Sequence, residues 1–144
     1  MAIARKDKYD KEVERKFKHI TCVYQRHIDA AENIDELLYF FCKAIESNHS
    51  CHERKRPIQT IDTIISIAEG FDDWRKIFFA TFHKPRHFSE ECIMAFRKMD
   101  ELKSGEQEYE DFSYCLREIQ SCQKREIMAF LNENPQYKKY KKAQ

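Results

Sequence analysis

Two histidine–cysteine pairs have the residue types and spacing that could hold a metal ion. His19 lies three residues before Cys22, and His49, Cys51 and His52 lie in the stretch "NHSCHERKRP" at residues 48–57. Thiolates and imidazoles offered as two short pairs are typical zinc ligands. The helical pattern around Cys22 nevertheless turns its side chain nearly opposite the apolar stripe, and His19 also lies off that stripe. We therefore expect no metal and no cofactor, with zinc binding kept as an alternative.

The remaining polar residues do not form a catalytic pattern. Arg75 and His83 are residue types that helical nucleases use, but seven residues separate them and His83 ends a predicted helix. The carboxylate pairs Asp72–Asp73 and Glu90–Glu91 begin predicted helices, where negative charge is favoured by the helix dipole. We therefore expect a protein without enzymatic activity and predict no catalytic residue.

Charge is segregated along the chain, although the net charge is only +1. Four basic segments carry +3 at residues 1–18, +2 at 52–56, +2 at 83–87 and +4 at 135–144, which leaves −10 for the other residues. A concentrated positive surface attracts polyanions, and the phosphate backbone of nucleic acid is a common partner of this kind. The four basic segments are therefore the strongest functional signal in the sequence.

The elements that must position these residues are helices. The chain has 144 residues with only 2 Gly and 3 Pro, and its apolar residues recur with helical spacing. We predict an all-α fold: a single-domain bundle of five to six antiparallel helices with short connections over residues 1–134, then a basic C-terminal tail, 135–144. The predicted helices cover about residues 8–31, 34–47, 58–69, 73–83, 90–103 and 107–133.

Helix ends are predicted from local residue types. Asn33, followed three residues later by Glu36, is a capping pattern, and Ser89 and Asp72 are further candidate N-caps. Gly70 is a predicted helix stop.

Three features are predicted along the last two helices. Cys92 lies within an apolar stripe and is expected in the core. Cys115, Cys122 and Ala129 recur every seven residues and predict a line of small residues for close packing or self-association. Gln123 falls within the apolar stripe of the last helix and is expected to be buried and hydrogen-bonded, with a stripe that faces a partner as the alternative.

Up-and-down threading of such a bundle would bring the basic segments to one end. Tyr137 and Tyr140 alternate with lysine pairs and could stack on unpaired bases there. The predicted nucleic-acid-binding residues are Arg54, Lys55, Arg56, Lys84, Arg86, Lys138, Lys139, Lys141 and Lys142.

Three functional hypotheses follow. The first is a non-enzymatic helical binding module that contacts nucleic-acid backbone, with RNA or single-stranded DNA favoured, as a small or accessory subunit of a nucleoprotein assembly. The second is a protein–protein adaptor or inhibitor of the kind that phages and plasmids encode, with no nucleic-acid contact. An acidic protein surface is the alternative to nucleic acid as the partner of the basic segments. The third is a helical nuclease or zinc-binding protein. Ends of opposite charge would also allow self-association into a homo-oligomer.

The sequence also suggests a compartment. The first residues are charged from Arg5 onward, which does not resemble a signal peptide, and no apolar run has membrane-spanning length. Six Cys in such a chain are typical of reduced thiols. We expect a cytoplasmic protein without a membrane span.

Overall fold

The predicted all-α fold is confirmed. The computed structural model describes residues 23–46, 58–82 and 89–139, and every regular element in these ranges is a helix. The helices are α1 (Val23–Asp29), α2 (Ile34–Glu46), α3 (Ile61–Ile67), α4 (Phe71–Phe82), α5 (Glu90–Leu102), α6 (Gly105–Gln120), α7 (Arg125–Glu133) and α8 (Pro135–Lys139).

The chain divides into two compact units, a first unit of residues 1–68 and a second unit of residues 69–144. This division differs from the predicted one, in which a single bundle covers 1–134. The predicted domain boundaries stay a prediction.

In the first unit, α1 and α2 pack through an apolar face around Ile28, Leu37 and Phe40. The buried ring of His27 stacks on Phe40 with the ring centroids 4.4 Å apart. The predicted cap between the helices is confirmed, because Asn33 Oδ1 accepts a hydrogen bond from the backbone N–H of Glu36 at 2.8 Å. This bond satisfies one of the amide groups that the start of a helix leaves unpaired.

A side chain of α1 also fixes the residues before α3. Gln25 Nε2 donates to the carbonyl of Gln59 at 2.7 Å, and Gln25 Oε1 accepts from the Gln59 N–H at 2.8 Å. Helix α3 then begins at Ile61 and ends at Ile67, so it is shorter than predicted and ends before Gly70.

The second unit has a core of aromatic rings centred on Phe96 of α5. Its ring lies 4.8 Å from that of Phe112 on α6, 6.2 Å from Phe78 on α4 and 6.1 Å from Phe130 on α7, all measured between centroids. Each of the four rings is at least nine-tenths buried. Burial of this apolar area is the main stabilising contribution within the unit.

Two predicted caps in the second unit have different outcomes. Ser89 caps α5, because its Oγ accepts from the N–H of Cys92 at 3.2 Å. Asp72 is not a cap: α4 begins at Phe71, so Asp72 lies inside the first turn and binds Arg75.

The predicted helix over 107–133 is interrupted, so that prediction was wrong. Helix α6 ends at Gln120, residues 121–124 form a connection, and α7 begins at Arg125. The interruption allows Phe130 to pack against Phe96 on α5.

The interruption also changes the environment of the residues in the connection. Gln123 is exposed rather than buried. Cys122 lies in the connection and Ala129 is exposed, so Cys115, Cys122 and Ala129 do not form a line along one helix. Cys92 is fully buried, which confirms its prediction as a core residue, and Cys115 is fully buried as well.

Candidate nucleic-acid interface

Most of the predicted contact residues lie outside the described residues. Lys138 and Lys139 are the two that belong to an observed element, the short helix α8. The predicted residues outside the description are Arg54, Lys55, Arg56, Lys84, Arg86, Lys141 and Lys142. The geometry of the candidate interface is therefore built from α8 and the residues around it.

Helix α8 is held to the second unit by an aromatic side chain. Tyr137 is only 7% exposed. Its ring meets that of Phe96 edge to face at a centroid distance of 4.8 Å and stacks on that of Phe130 at 5.8 Å. The prediction that Tyr137 stacks on bases was wrong, because the aromatic core already covers the ring. Tyr140 lies outside the described residues.

Two hydrogen bonds complete the attachment of Tyr137. Its hydroxyl donates to Asp100 Oδ2 on α5 at 2.7 Å, and its carbonyl accepts from Gln120 Nε2 on α6 at 2.7 Å. Asp100 also binds the ammonium group of Lys103. Burial, together with the bond to Asp100, raises the pKa of Tyr137 well above its usual range. The hydroxyl therefore stays protonated and donates to the carboxylate at neutral pH.

Lys138, the next residue, points its ammonium group toward the end of α7. The side chain is exposed, and Nζ donates to Asn132 Oδ1 at 2.8 Å. An ammonium group carries three N–H donors. The bond to Asn132 uses one of them, and no carboxylate in the described ranges forms an ion pair with Lys138.

Arg97 of α5 lies at the same end of α7 and was not among the predicted contact residues. Its Nη2 donates to Asn134 Oδ1 at 3.1 Å, and the guanidinium carbon lies 5.6 Å from the centroid of the Phe130 ring. The Asn134 amide is itself fixed, because Nδ2 donates to the carbonyl of Phe130 at 2.8 Å. No local signal in the sequence identifies Arg97, since it lies in an ordinary amphipathic helix outside the four basic segments.

The cysteines in the described ranges are free thiols. Those that lie in the core are expected to have little reactivity. Burial raises the pKa of the Cys92 thiol and that of the Cys115 thiol to about 12. Since the thiolate is the reactive form, neither is suited to nucleophilic or redox chemistry at neutral pH.

The carboxylates on α4 and α6 form a surface ion-pair cluster. Arg75 binds Asp72 and lies 3.9 Å from the Asp111 carboxylate. The hydrogen bond from Arg75 holds the pKa of Asp72 below its ordinary value. Asp72 is thus ionised at neutral pH and is a poor general acid. His83, which was considered with Arg75 for nuclease chemistry, lies outside the described residues.

Metal binding has to be considered separately for the described residues and for the residues outside them. Among residues 23–46, 58–82 and 89–139, no three His, Cys, Asp or Glu side chains come together so as to hold a metal ion. The pairs considered from the sequence, His19, Cys22, His49, Cys51 and His52, lie outside these ranges. The expectation that they bind no metal stays a prediction.

No helix in the described part of the chain is both long and apolar enough to span a bilayer. Comparison of the chain with protein-family models, with curated proteins and with solved structures finds no match.

Proposed function

We propose that this chain is a non-enzymatic helical module that binds the phosphate backbone of nucleic acid through its basic segments. RNA and single-stranded DNA are the favoured ligands, in a small or accessory subunit of a nucleoprotein assembly. The four basic segments together carry +11 in a chain whose net charge is +1. Segregated positive charge attracts a polyanion over long range, and it contributes little to the stability of the fold.

The observation that carries the proposal is the attachment of α8 by Tyr137. The C-terminal basic segment would be a free tail if residues 135–139 were unstructured, and ordering a free tail on a ligand costs conformational entropy. Burial of Tyr137 and its bond to Asp100 instead fix the first part of this segment as a helix, on which Lys138 is exposed. A preorganised cation of this kind supports affinity for a phosphate.

The test is fluorescence anisotropy of labelled single-stranded RNA, single-stranded DNA and duplex DNA, titrated with the full chain at low salt and at about 0.15 M salt. We expect binding that weakens steeply as salt rises, because each phosphate contact releases counterions. Binding to none of the three probes, even at low salt, would remove the proposal and favour the protein–protein adaptor.

A pair of charge reversals tests the role of the basic segments. The double variant Arg54→Glu with Arg56→Glu is expected to weaken binding and to flatten its salt dependence. The matched control is Arg117→Glu with Arg125→Glu, which makes the same change in net charge at exposed positions outside the basic segments. Equal losses in the two double variants would indicate attraction by net charge alone and would contradict a defined site.

A further inference from the structure

The end of α7 holds two exposed cations that come from different helices, Arg97 of α5 and Lys138 of α8. We infer that Arg97 and Lys138 together form a phosphate subsite for the nucleic-acid backbone, continuous with the C-terminal basic segment. This inference rests on the proposed function and adds to it Arg97, a residue outside all four basic segments.

The side chain of Arg97 is held in place while most of its donors stay available. The guanidinium lies over the ring of Phe130 at 5.6 Å and binds the Asn134 amide oxygen at 3.1 Å. A guanidinium has five N–H donors in a planar fork. With one donor on Asn134, the others can bind the paired oxygens of a phosphate in the bidentate geometry that arginine favours.

Each of the two cations is hydrogen-bonded to an asparagine at the C-terminal end of α7. Asn134 binds Arg97, and Asn132 binds Lys138. These asparagines are two residues apart, so their Cα atoms lie at most about 7 Å from each other. The two positive charges are therefore held at the same end of α7 by neutral amides.

The carboxylates near this site do not form ion pairs with either cation. Asp100 binds Lys103 and the Tyr137 hydroxyl, and Glu101 lies 3.7 Å from Lys98. Among the described residues, neither Arg97 nor Lys138 has a carboxylate within ion-pair distance. Glu133, between the two asparagines in sequence, is exposed. An external anion would thus meet two exposed cations that form no ion pair with the described carboxylates, which favours phosphate over a neutral ligand.

The test compares neighbouring cations on α5. Arg97→Gln removes a charge from the proposed subsite, and Lys98→Gln removes the same charge one residue away, from a side chain that pairs with Glu101. We expect Arg97→Gln to weaken binding of labelled single-stranded RNA several-fold. The slope of log affinity against log salt should fall by about 0.7, the value for one phosphate contact on a single strand.

Two further variants keep the test decisive. Arg97→Lys retains the positive charge and is expected to keep the salt slope while losing part of the affinity, because an ammonium cannot replace the fork. Lys138→Gln is expected to lower the slope by a similar amount as Arg97→Gln. Circular dichroism of each variant checks that helicity is unchanged, and Arg97→Lys carries the test if Arg97→Gln does not fold.

The outcomes separate this inference from the proposed function. If the wild-type chain binds RNA with steep salt dependence but Arg97→Gln and Lys98→Gln behave alike, the subsite is wrong and the proposed function stands. If the wild-type chain binds none of the three nucleic-acid probes, the proposed function fails and the subsite fails with it. A selective loss of slope in Arg97→Gln supports both.

Discussion

At the scale of single residues, Tyr137 links the fold to the proposed function. Its ring completes the aromatic core around Phe96, and its hydroxyl and carbonyl join α8 to Asp100 on α5 and Gln120 on α6. The lysine that follows it is exposed. One side chain therefore fixes the position of α8, the helix on which Lys138 lies.

Tyr137→Phe is expected to lower the free energy of unfolding by about 1 kcal/mol, the typical net contribution of a hydrogen bond in a protein. The ring stays in the core, so the change isolates the bond to Asp100. Urea denaturation followed by circular dichroism measures the difference. The control is Tyr109→Phe, because the Tyr109 side chain is 51% exposed and is expected to change stability by less than about 0.5 kcal/mol. Equal effects of the two variants would contradict the role assigned to the bond.

The same hydroxyl predicts a pH dependence. The folded-state pKa of Tyr137 is raised above its ordinary value of 10.0, first by burial and then by the bond to Asp100. Its stabilising contribution is therefore complete below about pH 10 and is lost as pH rises toward the folded-state pKa, since the unfolded chain releases the proton first. The stability difference between wild type and Tyr137→Phe should shrink above pH 10, and a constant difference would contradict this assignment.

At the scale of elements, local signals and long-range contacts differ in how well the sequence predicts them. The caps at Asn33 and Ser89 were predictable because each depends on an oxygen within three residues of its amide. The interruption at 121–124 was not, because Ile119 and Ile127 keep helical spacing across it and no Gly or Pro marks it. The interruption is explained by the contact of Phe130 with Phe96, which lies far away in sequence.

The candidate interface shows the same limit. Lys138 is exposed, as expected for a lysine in a run of lysines. The burial of Tyr137, in contrast, depends on rings from α5 and α7. Arg97 was missed for the same reason, since its neighbours Asn134 and Phe130 are more than thirty residues along the chain. The charge pattern of the sequence thus identifies basic segments, but tertiary structure is needed to identify an isolated cation such as Arg97.

The start of α6 provides a prediction at this scale. Gly105 has a φ of +81°, in the region where a side chain is strained. Gly105→Ala is expected to lower the free energy of unfolding by about 1 kcal/mol for this backbone conformation alone. No atom lies within 4 Å of the position that its Cβ would take.

Gly70→Ala is the matched control, because its Cβ also meets nothing within 4 Å and its φ is not positive. Its effect should stay within about 0.5 kcal/mol. Thermal unfolding followed by circular dichroism compares the two variants. A loss at Gly70 as large as that at Gly105 would show that backbone strain does not explain the cost.

At the scale of the whole molecule, the basic segments and the aromatic core are distributed differently along the chain. The basic segments are spread over both units, with residues 1–18 and 52–56 in the first and 83–87 and 135–144 in the second. The aromatic core, in contrast, lies within the second unit alone. Its rings come from α4, α5, α6, α7 and α8, all of them in this unit.

The second unit is therefore expected to fold without the first. A fragment of residues 69–144 exceeds the roughly 60 residues at which many domains fold alone, and it contains Phe78, Phe96, Phe112 and Phe130. We expect the isolated fragment to show helical circular dichroism and one cooperative urea transition. Phe96→Ala in the fragment should lower its stability by about 3 kcal/mol or more, because a large cavity would open among the rings. A fragment that is unfolded, or that unfolds without cooperativity, would instead favour the single domain predicted over residues 1–134, in which the first unit contributes to one shared core.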